Sequence, residues 1–215
     1  MSGRLVRVGL GGQIASGKSS LARALVASTE LQEAIGGAVK HVDADALLRA
    51  ARSTNAALRD EILQVVPEAR RVDGGIDSAL LAARAFTDPA VLQQLENLQW
   101  PVVRHAISEA SRDAEARGAR LLIVEAIALG RSGLAAELDG ALFLHADEAL
   151  RRSRFLSRGG SEEDFRVRNA AQAGIPAEMA AIGAVSIDGS GSLPETVRAA
   201  SQALRRLCLP GESID

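Results

Sequence analysis

The segment Gly12-Gln13-Ile14-Ala15-Ser16-Gly17-Lys18-Ser19 has the spacing G-x-x-x-x-G-K-S. Residue types arranged in this way hold phosphates. The glycines let consecutive backbone N–H groups turn inward around an anion. A helix starting near Lys18 adds the positive end of its dipole. The Lys18 ammonium would reach the β- and γ-phosphates of a nucleoside triphosphate, and the Ser19 hydroxyl would hold magnesium. Ser20 completes the set of candidate nucleotide-binding residues. The chain has two lysines, Lys18 and Lys40, and one of them fills the position this chemistry requires. A glycine turn that binds nothing is the plain alternative, and the apolar strand before it and helical pattern after it speak against that.

Carboxylates and arginines that would serve such a loop follow it. Asp43 and Asp45 stand at the end of a second apolar run, and in a parallel sheet the carboxyl ends of strands face the ligand crevice. Asp45 would accept a proton from an attacking hydroxyl or help to hold magnesium. Either residue would otherwise cap the helix that follows. Arg151, Arg154 and Arg158 fall at helical spacing. Arg154 and Arg158, on a mobile lid, would offset the charge that develops in phosphoryl transfer; the alternative is a solvated basic face. Glu125 ends a third apolar run, as a carboxylate near magnesium or as a structural acid. His41, His105 and His145 lack metal-ligand spacing and read as structural. Trp100, before Pro101, reads as core or a pocket wall.

The elements that must position these residues follow from the hydrophobic pattern. Short apolar runs at Leu5–Leu10, Ala38–Val42, Leu121–Glu125, Ala141–His145 and Ala184–Ile187 predict five strands. Leu121–Glu125 is apolar up to its last residue, as in a strand buried on both faces. Helical patterns lie between the strands, over Lys18–Ser28, Ala46–Arg52, several segments from Thr54 to Arg117, Arg151–Arg168 with a break at Gly159-Gly160, and Leu193–Leu207. Pro67 ends one helix, and Asp88 with Pro89 opens another; Pro101 opens or kinks the long helix. This order predicts an α/β three-layer phosphate-loop NTPase fold with a mainly parallel sheet, in one domain over 1–215, with a helical insertion at 54–117.

Composition narrows the class. The chain has 215 residues, 47% of them apolar and 24% charged, as in globular domains. Aromatic residues are 2% and the net charge is −2. These values argue against stacking platforms for single-stranded nucleic acid and against general attraction to polyanions or anionic membrane. Cys208 is the only cysteine, which excludes an intrachain disulfide. No signal-peptide pattern and no apolar run of about 20 residues occurs. The expectation is a cytoplasmic protein that acts on a small molecule without nucleic acid or membrane. The sequence sets no oligomeric state.

Taken together, these segments resemble the dephospho-CoA kinase family over nearly the whole chain. Gly9 to Ser19 is close to that family's G-L-T-G-G-I-x-S-G-K-S, and Asp43-Ala44-Asp45 with Arg49 is similar to its D-A-D-x-x-x-R. Asp73-Gly74-Gly75-Ile76-Asp77, Phe86-Thr87-Asp88-Pro89, Arg154 to Arg158 with Ser161-Glu162-Glu163-Asp164, Ala171-Gln172 and Ile187 to Gly191 resemble further family stretches. The resemblance implies ATP and Mg2+, a core sheet, an acceptor-side helical subdomain, a lid over 150–172, and Asp45 as the base.

The sequence also departs from the family pattern. Trp100 stands where the family has histidine, Ser78 where it has arginine, Gly183-Ala184 where it has A-D, and Met179 where its usual nearby lysine falls. Glu125 to Gly130 replaces D-x-P-L-L-F-E. Donor-side residues are kept, while acceptor-side polar groups are lost. Three readings follow. The first is phosphoryl transfer to the ribose 3′-hydroxyl of dephospho-CoA. The second is transfer to another small alcohol, such as a nucleoside, sugar or hydroxy amino acid. The third is nucleotide binding without catalysis, against which the retention of Lys18, Ser19, Asp45 and Arg154 together counts. A diphosphate-bearing acceptor would need a cationic groove, and Arg84 and Arg104 are the arginines expected there.

Overall fold

The computed structural model describes residues 4–209. Five strands form one sheet: β1 Val6–Gly11, β2 Ala38–Asp43, β3 Ala119–Glu125, β4 Gly140–His145 and β5 Val185–Asp188. Their order is β2-β3-β1-β4-β5, and every pairing is parallel. Parallel strands need crossovers, which puts helices on the faces and buries both sides of the inner strands. That is why β3 is apolar from Leu121 to Val124 and those residues are buried. In register, Leu10 lies beside Glu125, and Asp43 beside Glu125 on the other side. The carboxyl ends of β1, β2 and β3 thus meet at Glu125.

The chain forms two compact units, 4–43 with 110–209, and Ala44–Glu109. In the sheet unit, α1 (Lys18–Ala27) and α2 (Thr29–Ile35) join the core through Leu21, Ala22, Leu25, Leu31 and Ile35. The sequence pattern did not anticipate α2 as a separate helix. Its signals are a capping Ser28, which accepts from Leu31 N at 3.2 Å, and Gly36 in the left-handed region at its end.

The helical unit begins with α3 (Ala44–Thr54) and α4 (Ala56–Val65), the latter capped by Asn55. A one-turn 3-10 segment at Pro67–Ala69 follows, then a bridge between Arg70 and Ile76, then α5 (Ser78–Thr87) capped by Asp77. The long α6 (Pro89–Ala116) starts here, and its last residues belong to the sheet unit. Pro101 neither opens nor ends α6 but lies inside it. Leu58, Ile62, Leu63, Val66, Ala69, Leu81 and Leu95 make this unit's own apolar cluster. The compact unit takes in α3, so it starts earlier than the insertion expected at 54–117.

The sheet unit is completed by α7 (Glu148–Leu156), α8 (Glu162–Ala171), α9 (Ile175–Ala181) and α10 (Leu193–Cys208). α9 is a second helix that the sequence reading lacked. Ser192 and Glu195 form a reciprocal cap at the start of α10. Thr196, Ala200, Leu204 and Cys208 then recur at every fourth position on its buried face. Among the described residues no helix is long and apolar enough to cross a membrane.

Candidate active site

The phosphate loop joins β1 to α1, and its local geometry follows from its residues. Ser16 N donates to Gln13 O at 3.2 Å, closing a tight turn. Ala15, third in that turn, has φ 57°, the left-handed region that L residues with a Cβ avoid. Holding a non-glycine there costs about 1–2 kcal/mol. Such strain persists where surrounding contacts over-determine the backbone, as they do here. A Cβ at Gly12 would stand 2.5 Å from the Leu144 carbonyl oxygen, so only glycine fits. Gly17 precedes α1 at φ 106°, and no side chain caps that helix among the described residues. The first N–H groups of α1 are therefore available to phosphate oxygens.

Four groups fasten the loop. Lys18 Nζ donates to Gly12 O at 2.8 Å and to Gln13 O at 3.3 Å. Gln172, just past α8, accepts from Ile14 N at 2.6 Å. Arg151 is buried and donates to Ile14 O at 3.3 Å, to Asn169 Oδ1 at 2.8 Å and to Ala146 O at 3.1 Å. Arg154 Nη1 donates to Ser16 O at 3.2 Å and Nη2 to Gly189 O at 2.9 Å. Buried Ser16 Oγ has no partner among the described residues, so the loop keeps a polar atom unsatisfied at its centre.

Arg158 lies beyond α7, which ends at Leu156, so it projects from the turn before α8 rather than from a helix. Arg154 and Arg158 line a cavity of about 210 Å³ with Gly17, Ser20, Leu144 and Leu193. Arg151, which shared their spacing, is instead a structural tie between the loop and α8.

Ser19 Oγ donates to Glu125 Oε1 at 2.7 Å, and His41 Nε2 lies 3.0 Å from Glu125 Oε2. Glu125 is buried. Burial pushes its carboxyl up, but hydrogen bonds with His41 and Ser19 and the charge of Lys18 outweigh it and hold the pKa below the ordinary glutamate range. His41, read from the sequence as structural, thus belongs to the site. Its signal was its place two residues before Asp43 on β2, which puts it on the same strand face. His105 lies by Glu109 on an exposed part of α6, and His145 stacks obliquely on Phe143.

The lowered Glu125 carboxyl has a consequence for pH dependence. The unfolded carboxyl titrates near about 4.3. The folded value lies lower, so the ionised form is favoured by folding. That stability is fully present above the unfolded value and is lost as pH falls through the folded one. Glu125→Gln is therefore expected to lower the urea midpoint at pH 7 and to differ less from the unmodified protein at pH 3. An equal difference at both values would remove the charge from the explanation.

In the helical unit, Asp45 sits in the first turn of α3, past the end of β2 rather than on it. Asp43 is the last residue of β2. Asp45, Arg49 and Arg52 recur along one face of α3. Arg84, expected in a cationic groove, is tied to Glu68 and Asp88. Four other arginines, Arg49, Arg52, Arg59 and Arg71, surround a cavity instead. The indole Nε1 of Trp100 is buried with no partner among the described residues.

The family model for dephospho-CoA kinase matches residues 6–195. The chain belongs to the dephospho-CoA kinase family. It is 37% identical over 164 residues to the dephospho-CoA kinase of Anaeromyxobacter dehalogenans, covering 74% of each chain. It is 33% identical over 203 residues to that of Deinococcus radiodurans, covering 94% of this chain and 92% of the relative. The solved structure of TT1252 from Thermus thermophilus is 29% identical with a TM-score of 0.75, covering 95% of this chain and 99% of the other. Shikimate kinase from Bacteroides thetaiotaomicron, 13% identical with a TM-score of 0.54, covers 94% of this chain and 99% of its own, and shares the fold. As a member of the dephospho-CoA kinase family, the chain is an ATP-dependent phosphotransferase with an alcohol acceptor.

Proposed function

We propose that this protein transfers the γ-phosphoryl group of ATP to the ribose 3′-hydroxyl of dephospho-CoA. The observation that carries this reading is the intact donor side in a chain of this family. Lys18, Ser19 and Glu125 gather at the carboxyl ends of β1 and β3 beside an uncapped helix start. Gly12 to Ser20 would wrap the phosphates. Ser19 and Glu125 offer oxygen donors 2.7 Å apart, a set that suits a hard cation such as magnesium. Magnesium, when bound, offsets charge on the β- and γ-oxygens. Asp45 would take the hydroxyl proton. Arg154 and Arg158, on a lid built from α7 and α8, would offset negative charge on the transferring group, and the cavity they line would receive the rest of the nucleotide.

The experiment is ADP release with ATP and magnesium, with and without dephospho-CoA, and with the 3′-phosphorylated product identified. Turnover that requires dephospho-CoA and yields this product is expected. ATP binding without stimulation by dephospho-CoA would overturn the acceptor and favour another alcohol, the reading to which Trp100 in place of the family histidine points. ATP binding with no turnover on any alcohol would leave a nucleotide-binding protein.

A further inference from the structure

The helical unit gathers four arginines around one cavity. Arg49, Arg52, Arg59 and Arg71 line a cavity of about 590 Å³, together with Gly74 and Ser78. One carboxylate, Asp73, lines it as well, and that group is engaged by Arg71 at 2.9 Å. Arg71 is presented by a tight turn in which Gly74 N donates to Arg71 O, Arg71 N to Gly75 O, and Gly75 N to Asp73 Oδ1. Burial acts against the charge of Arg52 and the Asp45 carboxylate supports it, while Arg59 Nη1 donates to Ser53 O at 3.4 Å.

Arg52 is held in an unusual way. Its Nε donates to Gln99 Oε1 at 2.9 Å, and its Nη2 donates to the same oxygen. Gln99 is buried inside α6, and its own amide donates to Leu95 O at 2.7 Å. A buried amide and an immobilised guanidinium both cost free energy. A leucine at 99 would pack there without either cost. The arrangement instead fixes the fork of Arg52 while leaving three of its five N–H groups without a protein partner among the described residues. A fixed, partly desolvated fork suits a phosphate oxygen pair, which it can bind in bidentate fashion.

We propose that this cavity is a binding site for a diphosphate group, with Arg52 as its fixed cation and Gln99 as the residue that positions it. On the acceptor reading above, on which this assignment of the ligand rests, the diphosphate is that of dephospho-CoA. The cluster then supplies cationic contacts that the acceptor side lost at Ser78 and Trp100.

The full chain serves for the test. Arg52→Gln is expected to lower kcat/KM for dephospho-CoA about a hundredfold, through KM for the acceptor, with KM for ATP unchanged. Gln99→Leu keeps the buried volume and removes the grip on Arg52 together with the bond to Leu95 O, and is expected to raise the same KM about tenfold. A loss spread over kcat and both KM values, or no loss, would overturn the proposal. Binding of inorganic diphosphate is then measured by calorimetry on Lys18→Ala, in which the phosphate loop is weakened, and on Lys18→Ala with Arg52→Gln. Binding that disappears in the second protein supports the site whatever the acceptor is. Equal binding in both, or none in either, overturns it. Arg52-dependent diphosphate binding without turnover of dephospho-CoA would keep the site, assign it to another diphosphate-bearing ligand, and overturn only the acceptor.

Discussion

Lys18→Ala is expected to lower kcat/KM for phosphoryl transfer about a thousandfold while leaving the thermal midpoint nearly unchanged. The ammonium sits over the loop, bonded to the carbonyls of Gly12 and Gln13, in a partly buried setting where a charge acts more strongly than in water. It would meet the β- and γ-oxygens as negative charge moves between them, so its loss falls mainly on the transition state. The fold does not depend on it, because Arg151, Arg154 and Gln172 also fasten the loop. Lys18→Arg is expected to be almost as poor, since a planar fork does not substitute for a compact point charge. ADP release with dephospho-CoA measures the effect, and near-normal turnover in Lys18→Ala would sink the assignment of the loop.

Asp45→Asn is the second large effect. It should lower kcat by about a hundredfold to ten-thousandfold, the range for a general base, with little change in KM for ATP. The substitution keeps shape and removes the ability to hold the hydroxyl proton. A collapse of ATP binding that raised magnesium restores would instead make Asp45 a metal-site residue.

The loop and the strands were legible because each is written in contiguous residues. Gly12 to Ser19 states its own chemistry, and β3 announces burial on both faces by its apolar run. The rest depends on contacts across the chain. Gln99 meets Arg52 only because α6 packs in the same cluster as α3 and α4, and periodicity along either helix does not reveal it. Arg84 and Arg104 were the arginines expected in the cationic groove, yet Arg84 is tied to Glu68 and Asp88. Arg71 enters the cavity because the Asp73-Gly74-Gly75 turn folds its segment back. His41 looked ordinary because its partner, Glu125, lies on another strand. The short helices α2 and α9 were missed because too few turns repeat to show a period, although Ser28 and Gly36 marked the first of them.

The strand order also sets a timetable for synthesis. β1 and β2 are not neighbours; β3 lies between them and pairs with both. A growing chain therefore carries two early strands with no shared partner until Glu125 has left the ribosome. The phosphate loop emerges at the tail of β1, before any sheet exists to brace it. Meanwhile the helical segment between β2 and β3 holds the buried residues of its apolar cluster within Leu58 to Leu95. It can collapse while β1 and β2 still wait, since its contacts are local and theirs are not. The loop proposed to hold phosphate is thus among the first segments to be translated and among the last to be braced.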